Sequence, residues 1–258
     1  SSGPGGPPLV TALIPTYRGT GDRLSALRDA VLSALHQSYS NLEVVVAVQD
    51  LPREADAEYL DLVRSQDFAR LACVRVVAAS AQPESSSEWV GEWAMNKQHR
   101  AAFVRNAGLA IAAGSYIAFL DDDDVWLPGK LTVQMDALQK AGSKFVVSDA
   151  YAGPLHKVRP WQPQLYAKQL SHEDFSYFHR NENKQALRIL VPNFDPAGWK
   201  ISRAMLRKHN LVITSTAVLS AEILAQVGAM STRADWEDYD YWLRAIDVTR
   251  CDVLHVPE

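Results

Sequence analysis

Cysteine is scarce in this 258-residue chain: Cys73 and Cys251 are the only two. They lie far apart, with no His or Cys partner at zinc-ligand spacing, which excludes a disulfide scaffold or a zinc module. Both fall in apolar, strand-like runs and are expected as buried structural thiols in a reducing compartment, the cytoplasm. No apolar run approaches the ~20 residues that a membrane-spanning helix requires. A signal-peptide pattern is missing as well, because the start, residues 1–8, is rich in Gly and Pro and uncharged; it reads as a flexible leader or tag remnant. Nor is there an excess of positive charge. Lys and Arg number 26 against 30 Asp and Glu, a net charge of −4, which argues against nucleic-acid binding by bulk electrostatics. Gly19-Thr20-Gly21 is too short a glycine signal for a dinucleotide loop, and no phosphate-binding P-loop occurs. The seven histidines are scattered, and no Ser/His/Asp or Cys/His nucleophile arrangement is found. His255 could approach a metal, but a packed or surface position is the expectation.

What is present is an alternation of strands and helices. Apolar runs at 9–14, 42–48 (rich in valine), 71–78, 116–120 and 144–148 predict buried strands. Between them, Leu24, Leu27, Val31, Leu32 and Leu35 recur at helical spacing behind a capping Asp22. A charged helix over 52–66 is packed by Tyr59, Leu60 and Val63. An Ala-rich helix over 96–113 ends at Gly114, and another opens at Pro128 and ends at Gly142. Such an order predicts βαβ units, a mainly parallel sheet covered on both faces, and ligands at the carboxyl ends of its strands. The polar stretch 80–88 is too long for a simple connection and is expected to be functional. Beyond residue 150 the pattern breaks into an aromatic- and Pro-rich insertion, with Trp161, Tyr166, Phe175, Tyr177, Phe178, Phe194 and Trp199; Trp89 and Trp93 lie beside the earlier polar stretch. These rings suit either sugar stacking or a core. A β-branched run follows at 211–219, then a helix opened by Ser220 and closed by Gly228, and a last helix over 236–247. The chain stops directly after a strand-like run, which suggests further residues in the whole protein.

The chemistry concentrates in Asp121-Asp122-Asp123-Asp124, placed where the fourth strand ends. Like charges this close repel one another unless a cation meets them. Hard carboxylate oxygens select Mg²⁺ or Mn²⁺, which keep waters and accept phosphate oxygens as further ligands. Glu237-Asp238 at the start of the last helix offers two more carboxylates. They suit general-base work or simple helix-dipole stabilisation. Asp50, at the end of the second strand, suits a hydrogen-bond acceptor or a turn.

Residues 116–131, Tyr-Ile-Ala-Phe-Leu-Asp-Asp-Asp-Asp-Val-Trp-Leu-Pro-Gly-Lys-Leu, resemble the metal-binding segment of family 2 glycosyltransferases with the GT-A fold. Arg105-Asn106-Ala107-Gly108-Leu109 is similar to the helix before that motif. Ile14-Pro15-Thr16-Tyr17-Arg18 resembles the family's first strand and nucleotide-binding turn. Trp236-Glu237-Asp238-Tyr239-Asp240-Tyr241-Trp242-Leu243-Arg244 is similar to its acidic base motif. The four matches occur in the family's order and span most of the chain from residue 9.

This resemblance implies a GT-A type α/β fold: a Rossmann-like, mainly parallel sheet flanked by helices, with a nucleotide-sugar-binding half at 9–150 and an acceptor-binding, catalytic-base half at 151–258. It implies Asp123 as the metal ligand, the register among four identical residues staying open, and Asp121 or Asp122 facing the donor's ribose or sugar. Pro15, Thr16 and Tyr17 would meet the nucleotide, with Tyr17 stacked on the base. Asp50 would read the nucleobase. Arg100 and Arg105 would face base or diphosphate, or lie at the surface. Asp238 would be the general base, with Glu237 or Asp240 as substitutes. The implied activity is inverting transfer of a sugar from a nucleoside diphosphate donor, a UDP-sugar first, to a hydroxyl of a glycan or glycoconjugate, assisted by Mn²⁺ or Mg²⁺. Further domains or a membrane partner would accompany it. A nucleotidyltransferase is the competing enzyme reading, and a non-catalytic carbohydrate-binding module the competing binding one.

Overall fold

Strand β1, Val10–Thr16, is buried at every position. That is the pattern of a strand covered on both faces rather than one. In the computed structural model, which describes residues 6–17, 23–50, 54–80, 97–148, 150, 176–180, 186–190, 199–208, 210–232, 234, 236–250 and 252–256, β1 pairs in parallel with β2 (Leu42–Asp50) and β4 (Tyr116–Phe119). β2 pairs in parallel with β3, Val74–Ser80. Alternate side chains of these strands feed two cores. Leu13, Val45, Ala47 and Phe119 enter one; Ala12, Ile14, Val44, Val46 and Val48 enter the other.

The helices cover those faces as their spacing dictates. α1, Arg23–Leu35, buries Leu27, Ala30, Val31 and Ala34, one stripe at helical period. α2, Glu54–Arg64, buries Tyr59, Leu60 and Val63. α3, Lys97–Ile111, packs on the opposite face. A Cβ on Gly108 of α3 would come within 2.1 Å of the Leu13 side chain, so only glycine lets this helix approach the sheet so closely. α4, Lys130–Ala141, ends at Gly142 with φ 62°, a left-handed cap whose N–H donates to the Leu138 carbonyl.

The second half turns the sheet mixed. β5, Phe145–Ser148, and β10, Val253–Val256, pair in parallel. Between β4 and β5 runs a short antiparallel strand, β9, Val218–Ser220, and β8, Trp199–Ile201, forms an antiparallel edge. The order is β3-β2-β1-β4-β9-β5-β10-β8, with parallel pairings outnumbering antiparallel ones four to three. β6, Ser176–Arg180, and β7, Ala186–Leu190, form a separate antiparallel pair inside the aromatic insertion. After α5, Arg203–Leu206, the β-branched run does not make one long strand. Its centre, Thr214–Thr216, is a tight 3₁₀ turn in which Thr216 Oγ1 donates to the Ile213 carbonyl, because local hydroxyl-to-backbone bonds compete with the ladder. Helix α6, Ala221–Val227, is capped by Ser220 and closed by Gly228 at φ 77°, and α7 spans Glu237–Thr249.

Two expectations are corrected here. The third strand begins at Val74, not 71, since residues 67–70 form a 3₁₀ turn. Cys73 is consequently exposed rather than buried; it precedes the strand, and its carbonyl accepts from Val44 N–H. Near the start of the chain, the Pro7 and Pro8 carbonyls accept from Asn41 and Tyr39 at 2.7 and 2.5 Å. Among the described residues no helix is long and apolar enough to cross a membrane. Outside them lie Cys251, Asp22, the Gly19-Thr20-Gly21 segment, Pro52, residues 81–96 with Trp89 and Trp93, and Trp161, Tyr166, Phe175 and Phe194 of the insertion. His255 is buried on β10.

The amino ends of the strands are tied by one carboxylate. Glu43 Oε1 accepts from Thr11 Oγ1 at 2.5 Å and from Ala113 N–H at 2.7 Å, and Oε2 pairs with Arg75 at 2.6 Å. Burial works against its charge, but these donors prevail and hold its pKa below the usual carboxylate value. A folded-state pKa below the unfolded one means that the stabilisation is present above the unfolded value, about 4.3, and is lost as pH falls through the folded one. Glu43→Gln should therefore lower Tm at pH 7 by about 2–4 °C, the shift of ~1 kcal/mol. Unfolding followed in increasingly acidic buffer should show wild type and variant converging below pH ~4.

Candidate active site

The four aspartates leave β4 in a clamped turn in which each meets a different environment. Asp124 N–H donates to the Asp121 carbonyl at 3.1 Å. Ser215, on the 3₁₀ turn, accepts from Asp121 N–H at 3.0 Å and donates its hydroxyl to Asp124 Oδ2 at 2.6 Å. Trp126 closes the turn, with its indole N–H on the Ser215 carbonyl and its backbone N–H on Ser33 Oγ. Asp121 is half-buried, Asp122 is buried, and Asp123 and Asp124 are exposed.

Asp122 points into the protein. Its Oδ2 accepts from Thr16 Oγ1 at 2.6 Å, and Thr16 also bonds Tyr59 Oη at 2.9 Å. Arg23 Nε lies 3.0 Å from the same oxygen, while Arg23 Nη1 reaches Asp123 at 3.3 Å. The guanidinium stacks 4.5 Å from the centre of the Tyr17 ring. Burial pushes the Asp122 carboxyl up to about 6; Thr16 and Arg23 oppose the rise, and the neighbouring Asp123 and Asp121 charges add to it.

Arg105 crosses from α3 to α7. Its Nη2 donates to Asp121 Oδ1 at 2.7 Å and its Nη1 to Glu237 Oε1 at 2.9 Å, with the guanidinium almost wholly buried. Burial opposes its charge, but Asp121, Glu237 and Asp238 outweigh that and raise its pKa further. Glu237 is buried too, and burial raises its pKa against the pull of Arg105. Asp238 beside it is half-buried and accepts from Thr214 Oγ1 at 3.0 Å and Tyr239 N–H at 2.7 Å. Asp240 is taken by Arg244 at 2.9 Å. At the end of β2, Asp50 accepts from Ser80 Oγ at 2.7 Å across the β2–β3 pair. Pro15 is buried opposite Ala47 in the β1–β2 ladder. Arg100 sits on α3, its side chain outside the described residues.

Residues 94–209 match the sequence family described as Glycosyl transferase family 2. The chain is 28% identical over 143 residues to the UDP-Glc:alpha-D-GlcNAc-diphosphoundecaprenol beta-1,3-glucosyltransferase WfaP of Escherichia coli, a match covering 55% of this chain and 46% of that protein. WfgD of the same organism, with the same described activity, is 26% identical over 138 residues, 54% of this chain and 44% of that one. The match thus spans less than half the length of these curated relatives. In fold, the chain is similar to the S. aureus TarS fragment 1–349 solved with UDP (TM-score 0.52, 14% identity, 97% of this chain and 60% of that one). It is also similar to the Pyrobaculum calidifontis mannosyltransferase PcManGT solved with GDP-Man and Mn²⁺ (TM-score 0.53, 15% identity, 97% and 56%). The chain therefore has the GT-A fold.

Can this site accept a divalent cation? Asp123 is 61% exposed at its side chain, so a carboxylate is available at the surface of the turn. Among the described residues no three His, Cys, Asp or Glu converge as a complete ligand set. Mg²⁺ is typically held by one or two carboxylates and completes its shell with waters and phosphate oxygens, and the exposed Asp123 carboxylate is a donor of that kind.

Sequence reasoning missed Arg23, Tyr59, Thr214 and Ser215. Two signals were there to be read. Arg23 puts a cation at the first position of a helix, where the dipole disfavours it, so a nearby anion was implied. Thr214-Ser215-Thr216 is a hydroxyl run inside an otherwise apolar stretch. Removing the shared cation tests the Arg105 bridge: Arg105→Met should cost about 3–5 kcal/mol by stranding two carboxylates, and adding Glu237→Gln should recover part of the loss in denaturant titrations. Asp122 follows the opposite sign from Glu43. Its raised pKa means a penalty present above pH 6 and relieved as pH falls toward the unfolded value. Asp122→Asn should accordingly raise Tm at pH 8, with the gain fading between pH ~6 and ~4.

Proposed function

We propose that this chain is the donor-binding and catalytic part of a metal-dependent, inverting glycosyltransferase that moves a sugar from a nucleoside diphosphate, a UDP-sugar first, to a hydroxyl of a glycan or glycoconjugate. The observation that carries this reading is the Arg105 bridge: one buried guanidinium joins Asp121 of the aspartate turn to Glu237 at the start of α7, under the charge of Asp238. A donor-side acidic turn and a second carboxylate pair thereby face one site. The first curated relatives use UDP-glucose by name, and the structural neighbours hold UDP or GDP-mannose with Mn²⁺. These names support the donor class.

The roles follow from chemistry. Asp50 can accept only, which suits it to a nucleobase N–H, and its bond from Ser80 orients the carboxylate. Tyr17 offers a ring to the base, and Pro15 and Thr16 bring the carboxyl end of β1 to the nucleotide. Asp121 faces the ribose or sugar, and Asp123 holds the dication. When bound, the ion supplies Lewis-acid stabilisation to the leaving diphosphate. Asp238 takes the proton of the acceptor hydroxyl as its oxygen attacks the anomeric carbon from the side opposite the leaving group. Among the three acids at the head of α7, Glu237 and Asp240 are each matched to an arginine. Asp238 instead has a hydroxyl and an amide donor, which orient it without cancelling its charge.

Asp238→Asn is the deciding variant. Transfer, measured against a panel of UDP-glucose, UDP-GlcNAc and GDP-mannose, should fall by about 10²–10⁴-fold, while Mn²⁺-dependent stabilisation by UDP persists in a thermal-shift assay. Unchanged transfer removes Asp238 from the mechanism. No transfer by the wild type, with diphosphate binding intact, favours a carbohydrate-binding module instead.

A further inference from the structure

We propose that Arg23 is the resident counter-charge of the aspartate turn and makes metal binding depend on the nucleotide diphosphate; this rests on the reading of Asp123 as the metal ligand. Arg23 contacts both acids at once, Asp122 at 3.0 Å and Asp123 at 3.3 Å, and lies over the Tyr17 ring. It therefore stands where Tyr17, the buried acid and the exposed acid meet. It is held by charge more than by direction. The buried Nε makes no hydrogen bond among the described residues, and the well-placed donor on Asp122 is the Thr16 hydroxyl at 2.6 Å. The contact to Asp123 is long, and that acid is largely exposed. A cation at the first position of α1 also sits against the helix dipole. Arg23 thus neutralises both acids, with a hydrogen bond to Asp123 alone among the two.

Two consequences follow for a dication approaching Asp123. Without nucleotide it must compete with a fixed positive charge a few ångströms away, which weakens its binding on the order of tenfold even at high effective dielectric. A diphosphate brings negative charge that serves both cations, so Arg23 turns from competitor to partner. By linkage the diphosphate then tightens the metal as much as the metal tightens the diphosphate. Arg23 touches no reacting atom in this scheme; it is a positioning residue that orders the two binding events.

The test is Mn²⁺ uptake, read from the loss of the free-ion electron paramagnetic resonance signal, in wild type, Arg23→Gln and Arg23→Lys, each alone and with UDP or GDP. Arg23→Gln should bind Mn²⁺ alone roughly tenfold more tightly than wild type, and its further tightening by diphosphate should shrink by a similar factor. Arg23→Lys, which keeps the charge, should stay near wild type. Should Arg23→Gln fail to fold around an unpaired Asp122, the double variant R23Q/D122N compared with D122N asks the same question. Equal or weaker Mn²⁺ binding after loss of the arginine, in either background, overturns the proposal while leaving Asp123 as ligand. A wild type that takes up no Mn²⁺ with either diphosphate sinks the metal reading and this inference together.

Discussion

A single desolvated guanidinium, that of Arg105, organises the rest of the candidate site. Burying an arginine is unfavourable unless anions meet it in good geometry, and here Asp121 and Glu237 each take one terminal nitrogen. The pair of bonds reaches across three elements, α3, the turn after β4 and the head of α7. Such buried ion pairs contribute little net stability compared with an apolar substitute, yet they enforce one arrangement, because any other strands a charge. Asp238 is positioned as a by-product, since its neighbour Glu237 is pinned.

The acidic turn obeys the same electrostatic logic at smaller scale. Four adjacent carboxylates become tolerable because each is handled differently: Asp121 by Arg105, Asp122 by Arg23 and Thr16, Asp124 by Ser215, and Asp123 by solvent with Arg23 at longer range. Hydroxyls recur in this scheme. Thr16, Thr214 and Ser215 each donate to an acid. A hydroxyl orients a carboxylate while leaving its formal charge in place. Ser215 has an architectural part as well, tying the turn to the strand inserted between β4 and β5.

That inserted strand explains why the sheet is mixed. β9 enters antiparallel between two strands that a regular βαβ chain would pair directly. Its short length follows from the hydroxyl-rich 3₁₀ turn before it, which spends the backbone's bonds locally. The outcome is that Thr214 and Ser215 are delivered to the carboxyl end of β4, beside the aspartates. The departure from regular alternation is therefore the feature that brings the second half of the chain to the site.

Much was legible in the sequence by itself. Val-rich runs required buried strands, helical spacing required the faces of α1 and α2, and Ser220 and Gly228 marked both ends of α6, because burial and capping are local and periodic. The aspartate run and the acidic head of α7 were visible for the same reason: a charge cluster is written consecutively. Cys73 was misplaced because strand ends depend on where the neighbouring ladder begins. Only the tertiary structure decided which acid is buried, that Arg105 links two carboxylates over a hundred residues apart, and that Arg23 and Ser215 belong to the site. Those are long-range pairings, and their energies come from desolvation and distance, which no single stretch of sequence contains.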